Sequence, residues 1–242
     1  MARRRPRFFF SFRSPFSWLA LKRLDQLAPS ALDRLQWIPF WDPDTAMEAA
    51  LRARSASFHY TQMSKAKHLY ILQDTKRLAH KLGLTMAWPI DESCRWEAPH
   101  LAWLSAERLG LGRRLYEALV EARWTRGENI CEAGTLAAIA TAAGLEGERL
   151  AAAANDPDIR AEALQCLVEA YEDDIFGIPY FRVGRHRFWG ADRVADFAEE
   201  LARAPGFAEI GEERLSATAE NGSNSGADVA RAYDSDTAGG CG

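Results

Sequence analysis

The stretch RFFFSFRSPFSWLALKRL, residues 7–24, decides the fold. Phe8 to Phe12, aromatic apart from one serine, predict a buried strand, and an apolar helical pattern follows at once. Ser14 stands at the expected N-cap and Pro15 at the first helical residue, where a missing N–H costs no hydrogen bond. Such a corner surrounds Ser14 with free backbone N–H groups and the positive end of the helix dipole. It therefore favours a bound anion, including a thiolate.

The rest of the chain divides into a helical middle and a short strand-rich end. LQWIPFW, residues 35–41, predicts a second strand, and its Pro39 indicates an edge or a strand end. Strand, helix and strand in about 35 residues indicate a βαβ unit with a parallel strand pair. Helical periodicity fills the segments 46–54, 64–82, 100–109, 112–123, 135–143, 147–154 and 157–173. Strands at 179–183 and 187–189 flank a short hairpin connection, and an amphipathic helix follows over 192–204.

The order of these elements predicts an α/β protein with a thioredoxin-like fold and a large all-helical insertion. The sheet needs both halves of the chain, so residues 1–43 and 174–210 would form one split thioredoxin-like domain. Residues 44–173 would form the inserted helical domain. Residues 215–242 are rich in Ala, Gly, Ser, Asn and Asp and are expected to be a disordered tail.

Composition excludes several classes of protein. The chain has 242 residues, of which 48% are hydrophobic, and this is enough for a sizeable core. Its net charge of −4 does not favour binding to nucleic acid or to an anionic membrane surface. No apolar run approaches the roughly 20 residues of a membrane span, and no signal peptide is evident, so a cytoplasmic protein is expected. Cys94, Cys131, Cys166 and Cys241 lie far apart in sequence, which predicts free thiols and no metal site.

Three further motifs carry candidate chemistry, each with a simpler structural alternative. Phe176-Gly177-Ile178-Pro179-Tyr180 predicts a cis proline facing the Ser14 corner, or else a proline that merely starts a strand. Asp192 in WGADR is either a helix cap or a partner for a ligand ammonium group. Lys67, Tyr70, Asp74 and Arg77 share one helix face, where a solvated ion-pair network is the usual explanation. Ser14 itself has the alternative of a plain N-cap serine.

Taken together, these motifs resemble one family. Residues 7–204 resemble the 2-hydroxychromene-2-carboxylate isomerases and the kappa-class glutathione transferases, which are related to the DsbA thiol oxidoreductases. The resemblance rests on the order and spacing of SPFSWLA (14–20), the Lys-x-x-Tyr-x-x-x-Asp-x-x-Arg pattern (67–77), RWTRGENI (123–130), FGIPYF (176–181) and FWGADR (188–193).

The resemblance implies a site for glutathione or another low-molecular-weight thiol. Ser14 would hold the glutathione sulfur as a thiolate, Ile178 before Pro179 would pair with the cysteinyl backbone, and Asp192 would bind the γ-glutamyl ammonium. The full implied set for the thiol cofactor is Ser14, Pro15, Phe16, Ile178, Pro179, Trp189, Gly190, Ala191 and Asp192. It also implies a small-molecule substrate and a homodimer.

Departures from the family pattern bear on the substrate. The family often has an aspartate at position 11 and a leucine at position 13, where this chain has Ser11 and Arg13. The lysine and tyrosine that the chromene isomerases use on their aromatic acid are not evident. Candidates for the substrate wall are Arg13, His59, Lys67 and Tyr70. Trp88, Trp96, Trp103 and Trp124 are further candidates, although core packing is the favoured explanation for these tryptophans.

The expected function is therefore a glutathione-dependent isomerase or a kappa-like glutathione transferase. Its substrate would be a small aromatic or conjugated molecule, and Ser14 would be the catalytic residue. The alternative is a binding or accessory protein of a specialised-metabolism pathway that uses the same pocket without glutathione. A disulfide oxidoreductase is disfavoured, because both 14 and 17 are serines.

Overall fold

The computed structural model describes residues 5–59, 63–91 and 94–213. The predicted tail, 215–242, lies outside them. The strands are β1 (Arg7–Phe10), β2 (Gln36–Pro39), β3 (Tyr180–Val183) and β4 (His186–Trp189). The helices are α1 (Pro15–Leu27), α2 (Thr45–Ala53), α3 (Lys65–Lys81), α4 (Glu97–Glu107), α5 (Gly112–Thr125), α6 (Ala133–Ala142), α7 (Gly147–Ala151), α8 (Pro157–Glu172) and α9 (Val194–Arg203). Short 3₁₀ turns lie at Pro29–Ala31, Ala152–Asn155 and Ala191–Arg193.

The four strands form one sheet in the order β2-β1-β3-β4. β1 and β2 are parallel, which confirms the βαβ prediction, and β2 is an edge strand that ends at Pro39. β1 pairs antiparallel with β3, and Phe9 lies opposite Tyr180. The α/β thioredoxin-like fold is confirmed. The described elements between β2 and β3 are all helices, whereas the division of the chain into domains stays a prediction.

Aromatic rings pack the sheet against the inserted helices α4 and α5 and against the last helix, α9. Phe10 is fully buried and lies 5.0 Å from the Trp103 ring of α4 and 5.4 Å from the Tyr116 ring of α5. Phe181 of β3 stacks on Phe197 of α9 at 4.6 Å. Burying such rings contributes roughly 1.5–3 kcal/mol each, so the aromatic run that marks β1 also fastens the inserted helices to the sheet.

Three helices begin with a side-chain cap supplied by an Asp or Ser residue. The side chain of Asp44 accepts from Met47 N at 2.7 Å, and Ser64 Oγ accepts from Lys67 N at 3.2 Å. Asp156 accepts from Asp158 N at 2.8 Å and precedes Pro157 at the first helical position of α8. Such caps each stabilise a helix by about 1 kcal/mol. Ser14 also precedes a helix, but its side chain makes no such bond.

Candidate active site

Ser14 is the N-cap residue of α1, but its side chain makes no capping bond. The residue is 4% exposed, and its Oγ is a buried atom without a hydrogen-bond partner among the described residues. The first N–H of the helix is missing because Pro15 follows, and Ser17 N donates to the backbone oxygen of Ser14 at 3.2 Å. Buried hydroxyls are normally paired, so Ser14 Oγ is an unused donor at the positive end of a helix.

Ser17 differs from Ser14, although both lie in the same turn. Its Oγ accepts a hydrogen bond from Ser11 N at 3.2 Å, and the residue is fully buried. Ser17 therefore has a structural role in holding the loop that leads into α1. Of the two hydroxyls that stand where a redox corner would have sulfurs, only Ser14 Oγ is left without a partner among the described residues.

The buried His100, which no sequence motif singles out, holds the loop before Ser14 in place. His100 of α4 is 0% exposed, and its Nδ1 donates to the carbonyl oxygen of Trp96 at 2.7 Å. A carbonyl can only accept, so Nδ1 carries the proton and Nε2 is the acceptor. Nε2 accepts from Phe12 N at 3.1 Å and from Ser11 Oγ at 3.2 Å. Because Ser11 Oγ also accepts from Arg13 N at 3.2 Å, His100 orders the three residues before Ser14.

The burial of His100 makes folding sensitive to acid. Burial lowers the pKa of His100 from 6.5 to about 3, so the folded protein keeps this ring neutral while the unfolded chain takes up a proton below pH 6.5. This stabilising contribution is complete above pH 6.5 and is lost as the pH falls from 6.5 towards 3. We expect the free energy of unfolding to drop by up to about 1.4 kcal/mol per pH unit in that range.

Denaturant unfolding of the native chain and of a His100→Gln variant between pH 7 and pH 4 measures this dependence. Subtracting the two profiles removes the contribution of carboxylates that the chains share. The native chain should lose stability more steeply than the variant below pH 6.5. Parallel profiles for the two proteins would contradict a buried neutral His100.

The Ile178–Pro179 peptide bond is cis, as the sequence predicts. Because Phe9 lies opposite Tyr180 in an antiparallel pair, continuing the register by two residues sets Ile178 opposite Ser11. Gly190 N donates to Pro179 O at 3.0 Å, which brings the start of the WGADR segment to the same end of the sheet. The 3₁₀ turn Ala191–Arg193 packs against α1. The structure thus gathers the corner, the cis proline and residues 189–192.

Two glycines shape this end of the sheet. Gly190 has φ +106°, and a Cβ there would lie 2.4 Å from Asp192 Oδ1, so the carboxylate folds back over the glycine. At Gly177 a Cβ would lie 2.7 Å from Trp189 Nε1, so the indole packs directly on the backbone. Phe176 is 57% exposed and meets the Trp189 ring edge-on, with ring centroids 4.9 Å apart.

Adding a methyl group at Gly177 should displace Trp189. The Trp189 ring is rigid and cannot fold away, so Gly177→Ala is expected to cost about 1–3 kcal/mol in stability. The measurements are thermal unfolding and the chemical shift of the Trp189 indole N–H. Gly134→Ala in α6 is the matched control, since a Cβ there meets nothing within 4 Å and alanine favours a helix. Equal effects of the two substitutions would contradict the close contact.

Arg13, a candidate substrate contact, is already engaged. Its guanidinium forms an ion pair with Asp42, which follows β2, and both side chains are about one-third exposed. Burial raises the pKa of Asp42, while the nearby Arg13 opposes the rise. The cation beside Ser14 is therefore largely compensated by a local carboxylate.

The residues of the α3 motif contact one another. Arg77 donates to Asp74 at 2.9 Å and lies over the Tyr70 ring, 5.7 Å from its centroid. Asp74 is buried, Lys67 is half-buried, and Tyr70 is 48% exposed. α3 packs against α1, so this network lies on a helix next to the corner.

The tryptophan candidates lie mostly in the core. Trp96, Trp103 and Trp124 are buried, which confirms the packing explanation for them. Trp88 is half-buried and meets the Trp124 ring edge-on at 5.8 Å. His59 stacks on Tyr171 at 5.7 Å.

No helix in the described ranges is both long and apolar enough to cross a bilayer. In those ranges, no group of three or more His, Cys, Asp or Glu side chains is placed to hold a metal ion.

Comparisons with known proteins show which proteins this chain resembles in sequence and in fold. The chain is 27% identical over 199 residues to a 2-hydroxychromene-2-carboxylate isomerase of Sphingobium xenophagum, covering 79% of this chain and 94% of that protein. A solved 2-hydroxychromene-2-carboxylate isomerase superposes with a TM-score of 0.65 at 20% identity, covering 82% of this chain and 94% of the other. The cytosolic disulfide reductase DsbM of Pseudomonas aeruginosa, solved with GSH, gives 0.54 at 16% identity, with 82% and 99% covered.

The resemblance to the chromene isomerases is thus confirmed, whereas kinship with the kappa class stays a prediction. Residues 7–202 match the model of the DSBA-like thioredoxin domain, which covers most of the described chain, both halves of the sheet and the helices between them. The chain therefore belongs to the family of DSBA-like thioredoxin domains.

Proposed function

We propose that this protein is a glutathione-dependent isomerase, or a glutathione transferase, that acts on a small aromatic or conjugated molecule. The observation that carries the proposal is the buried Ser14 Oγ, which has no partner among the described residues and lies at the N-terminus of α1. A plain N-cap serine would accept from the helix N–H groups, and Ser14 does not. Its hydroxyl is therefore available to a ligand.

The corner before α1 has the groups that stabilise a sulfur anion. A thiolate accepts hydrogen bonds, and the corner offers the Ser14 hydroxyl at the positive end of a 13-residue helix. In the described chain, Phe16 N–H forms no hydrogen bond and is a second donor. Because positions 14 and 17 hold oxygen, the protein has no sulfur of its own here, and a bound small thiol is the group that completes the site.

The remaining ligand groups have candidate partners at the same end of the sheet. Ile178 precedes the cis Pro179 and would pair with a peptide-like backbone, as a neighbouring strand does. Asp192 is the carboxylate suited to the ligand's ammonium group. Trp189, Gly190 and Ala191 connect these two positions, and Gly190 N is already engaged by Pro179 O.

When bound, glutathione would supply a nucleophile that adds reversibly to a conjugated double bond, which permits rotation before elimination. The chain's own residues would stabilise that sulfur as a thiolate. The Ser14 hydroxyl would donate to it and the α1 dipole would lower its pKa, while His100 holds residues 11–13 so that Ser14 stays in place. Arg13 is paired with Asp42, so it adds little net charge at the sulfur.

The comparisons support this choice of reaction class. The isomerase of Sphingobium xenophagum is similar over 79% of this chain, which favours an isomerase over a disulfide oxidoreductase. The fold that this chain shares with DsbM accommodates GSH in that protein. Serines at 14 and 17 also argue against disulfide exchange at this corner.

Titrating glutathione into the purified protein tests the proposal. Calorimetry should show saturable binding, and the ultraviolet absorbance of the bound thiolate should titrate at a pH below that of free glutathione. Ophthalmate, the glutathione analogue without sulfur, serves as the control and should bind without the absorbance change. Absence of glutathione binding, with a different small molecule bound instead, would favour the alternative of an accessory binding protein.

A further inference from the structure

Two cysteines that lie far apart in sequence meet in the inserted helices. Cys94 precedes α4 and Cys131 precedes α6, and their side chains interact with each other. Both also contact Asn129, whose Oδ1 lies 3.7 Å from Cys94 Sγ and accepts from Cys131 N at 3.1 Å. Neither residue is fully buried. A disulfide needs an S–S bond of about 2 Å, and the contact that both residues make with Asn129 keeps the two cysteines next to each other.

The surroundings hold this pair in place. Asp91 lies 3.7 Å from Cys94 Sγ and accepts two hydrogen bonds from Arg123, at 2.8 and 2.7 Å. The Arg123 guanidinium is 1% exposed and lies between two indole rings, 4.7 Å from Trp96 and 4.5 Å from Trp124. The bidentate pair and the two rings give the segment before α4 one defined position relative to α5.

We propose that Cys94 and Cys131 form a reversible disulfide by exchange with small-molecule disulfides of the oxidised-glutathione class. Cys94 attacks the small disulfide, forms a mixed disulfide and releases one thiol. Cys131 then attacks the Cys94 sulfur, forms the internal bond and releases the second thiol. Two electrons and two protons pass from the protein thiols to the small disulfide, which becomes two thiols.

Electrostatics assign the order of attack. Burial raises the pKa of both thiols, and the rise is very large for Cys131, which is the more enclosed of the two. Cys94 thus has the larger thiolate fraction and is the attacking group, and Cys131 is the resolving group. Since Asp91 further raises the pKa of Cys94, oxidation should be slow at neutral pH and accelerate as the pH rises towards 9.

The site is separate from Ser14 and does not depend on the proposed function. Cys166 in α8 is an internal comparison, because it is also half-buried and its pKa is raised by burial. Among the described residues, no other cysteine interacts with Cys166. It should therefore gain at most a mixed disulfide and never an internal bond.

The experiment incubates the reduced full-length protein, carrying Cys241→Ser, with oxidised glutathione and follows intact mass and peptide maps. We expect the loss of two hydrogens, a cross-linked peptide that joins Cys94 to Cys131, and full recovery of the thiols with dithiothreitol. The oxidised protein should melt about 5 °C or more above the reduced one, because the cross-link restricts the unfolded chain. In the Cys131→Ser variant, Cys94 should keep one glutathionyl group.

Three outcomes would overturn the proposal. The first is a Cys94–Cys131 pair that stays reduced while Cys166 is modified. The second is a cross-link to any other cysteine. The third is a Cys94→Ser variant that captures glutathione on Cys131 as fast as the native chain oxidises, which would reverse the assigned order of attack.

Discussion

Replacing Ser14 with alanine is expected to separate function from stability. If its hydroxyl donates to the bound sulfur, Ser14→Ala should reduce turnover by about 100-fold or more and raise the pKa of bound glutathione. The folded protein should be as stable as the native chain or slightly more so, because the lost hydroxyl is buried and unpaired among the described residues. Thermal unfolding measures the stability, the pH titration of thiolate absorbance measures the pKa of bound glutathione, and steady-state kinetics measure the turnover.

Ser17→Ala is the matched control in the same turn. Ser17 Oγ accepts from Ser11 N, so its loss should lower stability by about 1 kcal/mol while glutathione still binds with a depressed thiol pKa. The two serines thus have opposite expected signatures. If Ser14→Ala leaves the pKa of the bound thiol unchanged, the assignment of Ser14 is wrong.

The largest expected effect on stability comes from His100→Ala. The substitution leaves the Trp96 carbonyl, Phe12 N and Ser11 Oγ without their partner and opens a cavity beside Trp41, which stacks on the imidazole at 5.3 Å. Unpaired buried groups cost roughly 1–3 kcal/mol each, so a loss of about 4 kcal/mol or more in the free energy of unfolding is expected. Denaturant unfolding at pH 7 measures it.

Two further variants keep this test interpretable if His100→Ala fails to fold. Ser11→Ala removes one partner of His100 and should cost about 1 kcal/mol, with a weaker glutathione site because the loop before Ser14 loosens. His68→Ala, at an exposed ring 6.1 Å from Trp88, should change stability by less than about 0.5 kcal/mol. Equal losses for His68 and His100 would contradict the network.

Local sequence patterns predicted most of the fold and part of the candidate site. The aromatic run of β1, Ser14 before Pro15, and Ile178 before Pro179 are readable because neighbouring residues alone decide a strand, a helix start and a turn. Pro39, which lacks an N–H, predicted an edge strand or a strand end, and β2 is an edge strand that ends at Pro39. These features need no knowledge of distant contacts.

Features formed by distant residues could not be predicted in this way. His100 lies within an ordinary apolar helix pattern, and its partners Ser11 and Phe12 are 89 and 88 residues away. The pairing of Arg13 with Asp42 likewise joins two loops, and it turns an apparent substrate cation into a compensated one. The contact between Cys94 and Cys131 depends on how the helices pack, which residue spacing does not encode.

The pairing of β1 with β3 has a consequence for synthesis of the chain. Arg7 lies opposite Arg182, so β1, the strand that leads to Ser14, receives its antiparallel neighbour only when nearly the whole described chain has been made. The parallel partner β2 and the inserted helices leave the ribosome earlier, and domains generally fold as units during synthesis. A nascent chain arrested before residue 179 would therefore hold Ser14 and His100 but lack the cis proline and the strand that pairs with β1.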